Sequence, residues 1–261
     1  MDSTPLEQWR DALEEHFGPN RYFGVYRETG STQDLARDLI ASAPATAPGA
    51  VFVAHHQTAG RGRLGRPWIT PPGSALTFSL AFRATPAEAE RLVLATSVGV
   101  AEALDRWLEP VGRAAAIKWP NDLYVDGRKI AGILVETRDH AAAVGVGINV
   151  GLTAEQLPPP LRAQTTSLGQ CGADVDRLEL LLETLTQVEH AWNQRHDDRL
   201  LQAWEERCRM LGHDVRLSHD GRIIDGQVIG LHPRDGLRVR RHTGEVVHLP
   251  AATTTVIESP R

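Results

Sequence analysis

At 261 residues the chain is long enough to bury a full core, as one large domain or a large domain with a small companion. Its net charge of −5 is the wrong sign for a general nucleic-acid binder, and two cysteines, Cys171 and Cys208, are too few for a disulfide framework. No apolar run approaches the roughly 20 residues of a membrane helix. The acidic start (Asp2, Glu7) does not resemble a signal peptide, so a cytoplasmic protein is expected.

The chain opens on an amphipathic helix. Thr4 is placed to cap it, Pro5 suits its first position, and Leu6, Trp9, Leu13 and Phe17 recur at helical spacing before Gly18-Pro19-Asn20 ends it. A single helix is too little for a helix-turn-helix module. Val25 to Glu28 reads as a short strand, and Ser31-Thr32-Gln33-Asp34 leads into a second helix (Leu35, Leu39, Ile40). Ser31 and Thr32 suit helix capping; a helix start also offers hydroxyls and free N–H groups to a polar ligand.

An Ala/Pro-rich connector (41–49) precedes a buried strand over 50–56 and then Gln57-Thr58-Ala59-Gly60-Arg61-Gly62-Arg63-Leu64-Gly65-Arg66-Pro67-Trp68. Glycine lets backbone approach a ligand, and arginine brings a planar fork suited to carboxylate or phosphate. From Leu39 to Ala87 there is no Asp or Glu, so nothing local neutralises Arg61, Arg63 and Arg66. The stretch reads as a loop that binds an anion. It is not a P-loop, because Arg66-Pro67 stands where Lys-Ser/Thr is needed.

Ala75 to Phe82 is a strand with one well-buried face, and Thr85-Pro86-x-Glu88 signals the start of a long helix through Leu92, Val100 and Trp107. Lys118-Trp119-Pro120-Asn121-Asp122 sets a cation, an amide and a carboxylate in a turn at a strand end. Asp126-Gly127 makes a hairpin between Leu123–Val125 and Lys129–Val135. Lys129 opens an otherwise apolar strand, either as an edge-protecting lysine or as an ammonium at the mouth of the core. Ala141 to Val150 is a glycine-broken strand. Its Gly145-Val146-Gly147 lacks the third glycine and following helix of a dinucleotide fingerprint, so it makes room for a flat ligand beside the Asn149 amide.

Residues 175–210 read as two helices broken near Asp197-Asp198. After Gly212, short β runs separated by His219-Asp220-Gly221, Pro233-Arg234-Asp235-Gly236 and His242-Thr243-Gly244 suggest a small all-β barrel. The division expected is 1–210 and 211–261. His55-His56 are ordinary strand histidines rather than metal ligands, and neither a serine nucleophile elbow nor a Cys/His pairing is present.

Taken in order, Gln57-x-x-Gly60-Arg61-Gly62-Arg63-x-Gly65-Arg66-x-Trp68, Lys118-Trp119-Pro120-Asn121-Asp122, Lys129-Ile130-Ala131-Gly132-Ile133-Leu134 and Gly145-x-Gly147-Ile148-Asn149 closely resemble biotin protein ligase. The resemblance covers about residues 25–150, and Ser31-Thr32-Gln33 is similar to the family's Ser-Thr-Asn segment with Gln in place of Asn. It implies an α+β fold: a mixed β-sheet catalytic domain with flanking helices, like class II aminoacyl-tRNA synthetases, plus the small C-terminal barrel. It also implies two half-reactions, formation of biotinyl-adenylate from biotin and ATP with Mg²⁺, then transfer to a lysine of a biotin carboxyl carrier domain.

By the same resemblance Ser31, Thr32, Gln33, Gln57, Gly60, Arg61, Gly62 and Arg63 surround biotin, with Gly132, Gly145 and Gly147 giving close backbone approach. Lys129, Arg61 and Lys118 neutralise the reacting carboxylate and α-phosphate. Arg63, Arg66, Trp68, Asn121, Asp122 and Asn149 meet the adenylate, Asn149 at the adenine edge and Asp122 as a Mg²⁺ partner. A monofunctional enzyme that binds neither DNA nor membrane is expected, as monomer or homodimer, since 30 residues before Ser31 leave no room for a winged helix-turn-helix. A lipoate ligase is expected to lack the arginine-loop motif, and a catalytically dead binding domain is at odds with Lys118, Asn121, Asp122 and Lys129.

Overall fold

The computed structural model describes residues 5–69, 71–232 and 236–258. Seven strands form one sheet: β1 (Phe23–Tyr26), β2 (Val51–Ala54), β3 (Ala75–Arg83), β4 (Ala116–Lys118), β5 (Asp122–Val125), β6 (Arg128–Arg138) and β7 (Ala141–Asn149). Their order is β1-β2-β3-β7-β6-β5-β4, antiparallel throughout except for the parallel β1–β2 pair. The helices are α1 (Leu6–Phe17), α2 (Thr32–Ser42), α3 (Ala89–Leu108), the one-turn α4 (Pro159–Arg162), α5 (Arg177–Asn193) and α6 (Asp198–Arg207).

The two sheet faces are covered unequally. On one, Leu76, Phe78, Leu80, Ile117, Leu123, Ile133, Val144 and Ile148 join Leu92, Leu104, Leu181 and Trp204 of the helices in the main core. On the other, α2 lays Ala36 and Ile40 against Phe52, Ala81, Ala141 and Ala143. Helix α2 packs mainly on β2, β3 and β7 and touches β6 only near Glu136, so most of the β4–β6 half of that face is left to loops. A mixed sheet half-covered on one face has a ready floor for a ligand.

Several local expectations shift. Thr4 lies outside the described residues, and Pro5 takes the N-cap position rather than the first helical one. The first strand ends at Tyr26, so Arg27 and Glu28 fall outside it. Glu88 Oε2 accepts from the Thr85 backbone N–H (2.9 Å) and hydroxyl (3.0 Å), but α3 itself starts one residue later, at Ala89. The Asp197-Asp198 break is well placed: Asp197 caps α6 by accepting from the Arg199 N–H at 2.9 Å. Asp126 and Gly127 both have positive φ (49° and 73°), which the right-handed strand twist favours in a two-residue hairpin turn.

Five further strands, β8 (Asp214–His219), β9 (Arg222–His232), β10 (Gly236–Arg241), β11 (Val246–Leu249) and β12 (Thr254–Glu258), pair antiparallel in the order β11-β10-β9-β8-β12. Part of the expected Pro233-to-Gly236 turn lies outside the described residues. Val215, Leu217, Val228, Leu231, Leu237, Val239 and Leu249 form the sheet's apolar side and belong to the same buried cluster as the main core.

Candidate active site

Strand register builds the floor. Successive pairings place Thr77 (β3), Gly147 (β7), Gly132 (β6), Asp122 (β5) and Lys118 (β4) in one row across five strands. Side chains alternate across a strand, so this row shares one face, the half-open one. The next row holds Ser79 and Gly145. The row runs from a polar patch, over bare glycine backbone, to an ionic end.

Lys129 joins that end through a break in the ladder. Leu123 pairs with Ala131 but Tyr124 pairs with Lys129, which makes Ile130 the extra residue of a β-bulge. Ile130 and Ala131 both enter the core, at 0% exposure, and Lys129 turns to the glycine face. Its Nζ lies 2.6 Å from Asp122 Oδ1 and 5.5 Å from the centre of the Trp68 ring. β6 lies between β5 and β7, so Lys129 is not an edge-protecting lysine. Its backbone is held as well: Lys129 N–H donates to Gln164 O, and Thr166 N–H donates to Lys129 O, both at 2.8 Å.

Over this floor lies a cavity of about 560 Å³, and every residue expected at the site lines it except Gly60. Gly60 stands just behind the wall, where a Cβ would meet Trp68 O at 2.9 Å and Gln57 Nε2 at 3.2 Å. The arginine loop is a miniature hairpin. Trp68 N–H bonds Gly60 O (2.9 Å), Gly62 N–H bonds Arg66 O (2.8 Å), and the tip turns through positive φ at Leu64 and Gly65.

Nothing local neutralises the arginines, but folding brings a carboxylate to one of them. Arg61 forms a bidentate pair with Asp34 of α2, Nη1 to Oδ2 at 2.9 Å and Nη2 to Oδ1. This bond holds the Asp34 carboxyl below its ordinary range and pushes the Arg61 guanidinium up. Arg63 donates to Asn121 Oδ1 at 3.2 Å and to the Ala251 carbonyl, and burial lowers its pKa. The acid-free stretch is a fact of sequence; folding brings the partners from elsewhere.

The capping role of Ser31 and Thr32 is corrected. Ser31 stands at the N-cap of α2 but its side chain makes no capping bond. Gln57 Oε1 instead accepts from the Thr32 N–H (2.7 Å) and hydroxyl (3.1 Å), and Thr32 Oγ1 meets Ser79 Oγ at 2.9 Å. Gln33 is tied down at both ends: Nε2 donates to Glu136 Oε2 (3.0 Å) and Ala143 O (3.1 Å), and Oε1 accepts from Ser79 (3.1 Å). It braces the wall rather than offering an open amide. Asn149 Nδ2 donates to Thr166 O at 2.9 Å, so what this residue can offer an adenine edge is its Oδ1 acceptor.

The glycines have a specific occupant. A Cβ on Gly147 would fall 2.5 Å from Trp68 Cε2, and one on Gly132 would fall 3.2 Å from Lys129 Nζ and 3.3 Å from Trp68 Cζ3. One on Gly145 would fall 2.7 Å from Gln33 Oε1. The indole thus lies on the bare backbone of β6 and β7, its buried Nε1 without a hydrogen-bond partner among the described residues.

Lys118 sits 4.7 Å from the Tyr124 ring centre, and burial lowers its pKa, opposed by Asp122 and reinforced by Lys129. A polyanion beside it would raise that pKa again, so nucleotide binding should take up protons. Because the affected pKa is below the ordinary lysine value of 10.5, nucleotide affinity should fall as pH rises through it. Lys118→Met should flatten the profile; calorimetry across the alkaline range checks this, and an unchanged slope removes Lys118 from phosphate contact.

For a metal, Asp122 is the sole carboxylate among the cavity-lining residues, and no group of three His, Cys, Asp or Glu gathers among the described residues. That does not fit a resident, protein-caged ion. It fits Mg²⁺ carried on phosphates, which needs one or two carboxylates and keeps several waters.

Sequence reasoning missed Asp34 behind Arg61, Thr77 in the floor row, and Ser79, together with the wall to which Leu152, Leu157, Leu161, Gln164, Thr165 and Thr254–Ile257 contribute. Thr77 and Ser79 did leave a signal, as small polar residues alternating with Leu76, Phe78 and Leu80 on a buried strand.

Residues 25–152 match the model of the biotin/lipoate A/B protein ligase family. The biotin–[acetyl-CoA-carboxylase] ligase of Mycobacterium tuberculosis is 32% identical over 245 residues, covering 88% of this chain and 90% of that protein. The ligase of the same name from Paracoccus denitrificans is 30% identical, covering 85% and 96%. Among solved structures, the biotin protein ligase of Aquifex aeolicus in complex with biotin and ATP superposes with a TM-score of 0.76 at 28% identity, over 91% of this chain and 99% of that one.

Proposed function

Because the chain belongs to the biotin–[acetyl-CoA-carboxylase] ligase family, we infer that it activates biotin with ATP and passes the biotinyl group to a lysine of a biotin carboxyl carrier domain. The observation that carries this reading is the registered row Gly147–Gly132–Asp122–Lys118, with Lys129 turned onto it. The bare backbone that the Trp68 indole covers becomes a slot for biotin's fused rings when the indole lifts, and the carboxylate on biotin's side chain then reaches the cationic end.

In the first half-reaction a biotin carboxylate oxygen attacks the α-phosphorus of ATP, and the bond to the β-phosphate oxygen breaks, releasing pyrophosphate. Two like-charged groups must meet, so fixed cations supply the main stabilisation. Lys129 bridges the carboxylate and the α-phosphate, and Lys118 takes a further phosphate oxygen. Arg61 and Arg63 close the loop side; Arg66, Asn121 and Asn149 Oδ1 serve the nucleotide. Mg²⁺ arriving with ATP would rest on Asp122 and supply charge neutralisation. In the second half-reaction the carrier lysine's amine attacks the carboxyl carbon of the mixed anhydride, AMP leaves, and the amine loses a proton. Trp68 and the loop shield the anhydride from water.

We divide the chain into a catalytic part over 1–210 and a small β part over 211–261. The second is part of the site, since Thr254–Ile257 line the cavity and Ala251 holds Arg63. We assign the reaction to the cytoplasm; no helix among the described residues is long and apolar enough to cross a membrane, and both cysteines are free and buried.

For the carrier, three exposed apolar residues from separate segments stand at the cavity rim: Leu64 (64% exposed), Leu161 (38%) and Ile257 (46%). Whatever delivers a lysine into the cavity covers this rim. Ile257→Asp should therefore raise KM for the carrier about tenfold and leave biotin-dependent pyrophosphate exchange alone. Equal loss in both assays would remove the rim from docking. The test of the function itself is incubation with ATP, Mg²⁺, biotin and a carrier domain, with biotinylated carrier as the readout. Labelling with lipoate but not biotin would overturn it.

A further inference from the structure

The arginine loop lies over the cavity through contacts of the chain's own making, and those of its entry arm run along the start of α2. Thr58 N–H donates to Thr29 O (2.9 Å), Ala59 N–H to Gly30 O (2.8 Å), and Gln57 Oε1 takes two bonds from Thr32. Arg61 ends this series on Asp34, the third residue of α2. Beyond it the tip is fastened differently, by Arg63 on Asn121 and Ala251. We infer that Asp34 is a positioning residue: its carboxylate fixes the Arg61 guanidinium, and with it the entry arm of the loop, over the cavity.

Asp34 does not line the cavity, so it acts through Arg61. The pair is bidentate, which sets the plane of the guanidinium and not merely its distance, and the remaining donors of the fork stay available. The carboxylate is itself flanked: Arg37 Nη1 lies 3.7 Å from Asp34 Oδ1 and 3.7 Å from Glu136 Oε1, and Glu136 accepts from Gln33. A chain of charges therefore links Arg61 to the helix that carries Ser31, Thr32 and Gln33. Asp34 and Arg61 are both partly exposed, so the pair contributes little to global stability. Its effect is local order. Ordering a loop before the ligand arrives lowers the entropy that binding must otherwise supply.

The consequence falls on binding, not on chemistry, and it deepens the reading of the cavity as a biotin site. Asp34→Ala should raise KM for biotin about tenfold and leave kcat at saturating biotin within about twofold, since a filled site orders the loop anyway. Without biotin, trypsin should cut Arg61–Gly62 and Arg63–Leu64 faster in this variant than in wild type; Arg66–Pro67 resists trypsin in both. Asp34→Glu should restore most of the KM and the protection, and Asp34→Asn should fall between. Melting curves confirm that each variant folds.

Unchanged KM and unchanged cutting in Asp34→Ala would overturn the inference, as would a fall in kcat at saturating biotin with KM unmoved. Wild type that neither binds biotin nor exchanges pyrophosphate would sink the ligase reading alone. The tryptic comparison without biotin would then still decide whether Asp34 holds the loop.

Discussion

Replacing Lys129 with alanine is expected to lower biotin-dependent adenylate formation by about 10²–10³-fold, the cost typical of losing one preorganised charge-stabilising donor. The variant should still fold. The Lys129 side chain is 29% exposed and the Asp122 side chain 26%, so their pair is partly solvated and its loss costs under about 1 kcal/mol. The bonds that tie residues 164–166 to this position use the Lys129 backbone and survive the substitution. Pyrophosphate exchange measured alongside the melting temperature separates the two effects. Near-normal exchange would remove Lys129 from the reaction.

Gly147→Val should be the most damaging change on the glycine floor. All three nearest atoms to the added Cβ, at 2.5 to 2.8 Å, belong to the rigid Trp68 indole. No positive φ is involved, so the penalty is steric: Trp68 must leave the strand, and overpacking of this kind costs about 1–3 kcal/mol. If biotin needs the same slot, KM for biotin should rise roughly 10- to 100-fold. Gly132→Ala offers the contrast. Its nearest neighbour is the far end of the Lys129 side chain at 3.2 Å, which can swing aside, so KM should move less. Equal KM values for the two variants and wild type would contradict the placement of biotin on this floor.

Much of this site was legible because its chemistry is local in sequence. The alternation of glycine and arginine over 60–66 requires backbone room and guanidinium forks wherever it folds. The hairpin at Asp126-Gly127 is encoded by a dipeptide, and the glycines of β7 announced a strand face without side chains. The texture after Gly212, short β runs between turn residues, gave the second sheet. The 150–171 segment carried no periodicity to read, and it folds as short turns that become cavity wall.

What sequence determined by itself, then, was the inventory: cationic loop, glycine floor, two lysines, and a strand for each to stand on. Only the tertiary structure decided how charges and faces pair. Asp34 lies 27 positions before Arg61 and in a different element, so no local count of acids could find it. Lys129 shares strand parity with Ala131 and Ile133, which alternation alone sends into the core. One extra residue, Ile130, opposite β5 reverses that parity and delivers the ammonium to the cavity. A bulge is a property of two strands in register, and a single strand cannot declare it.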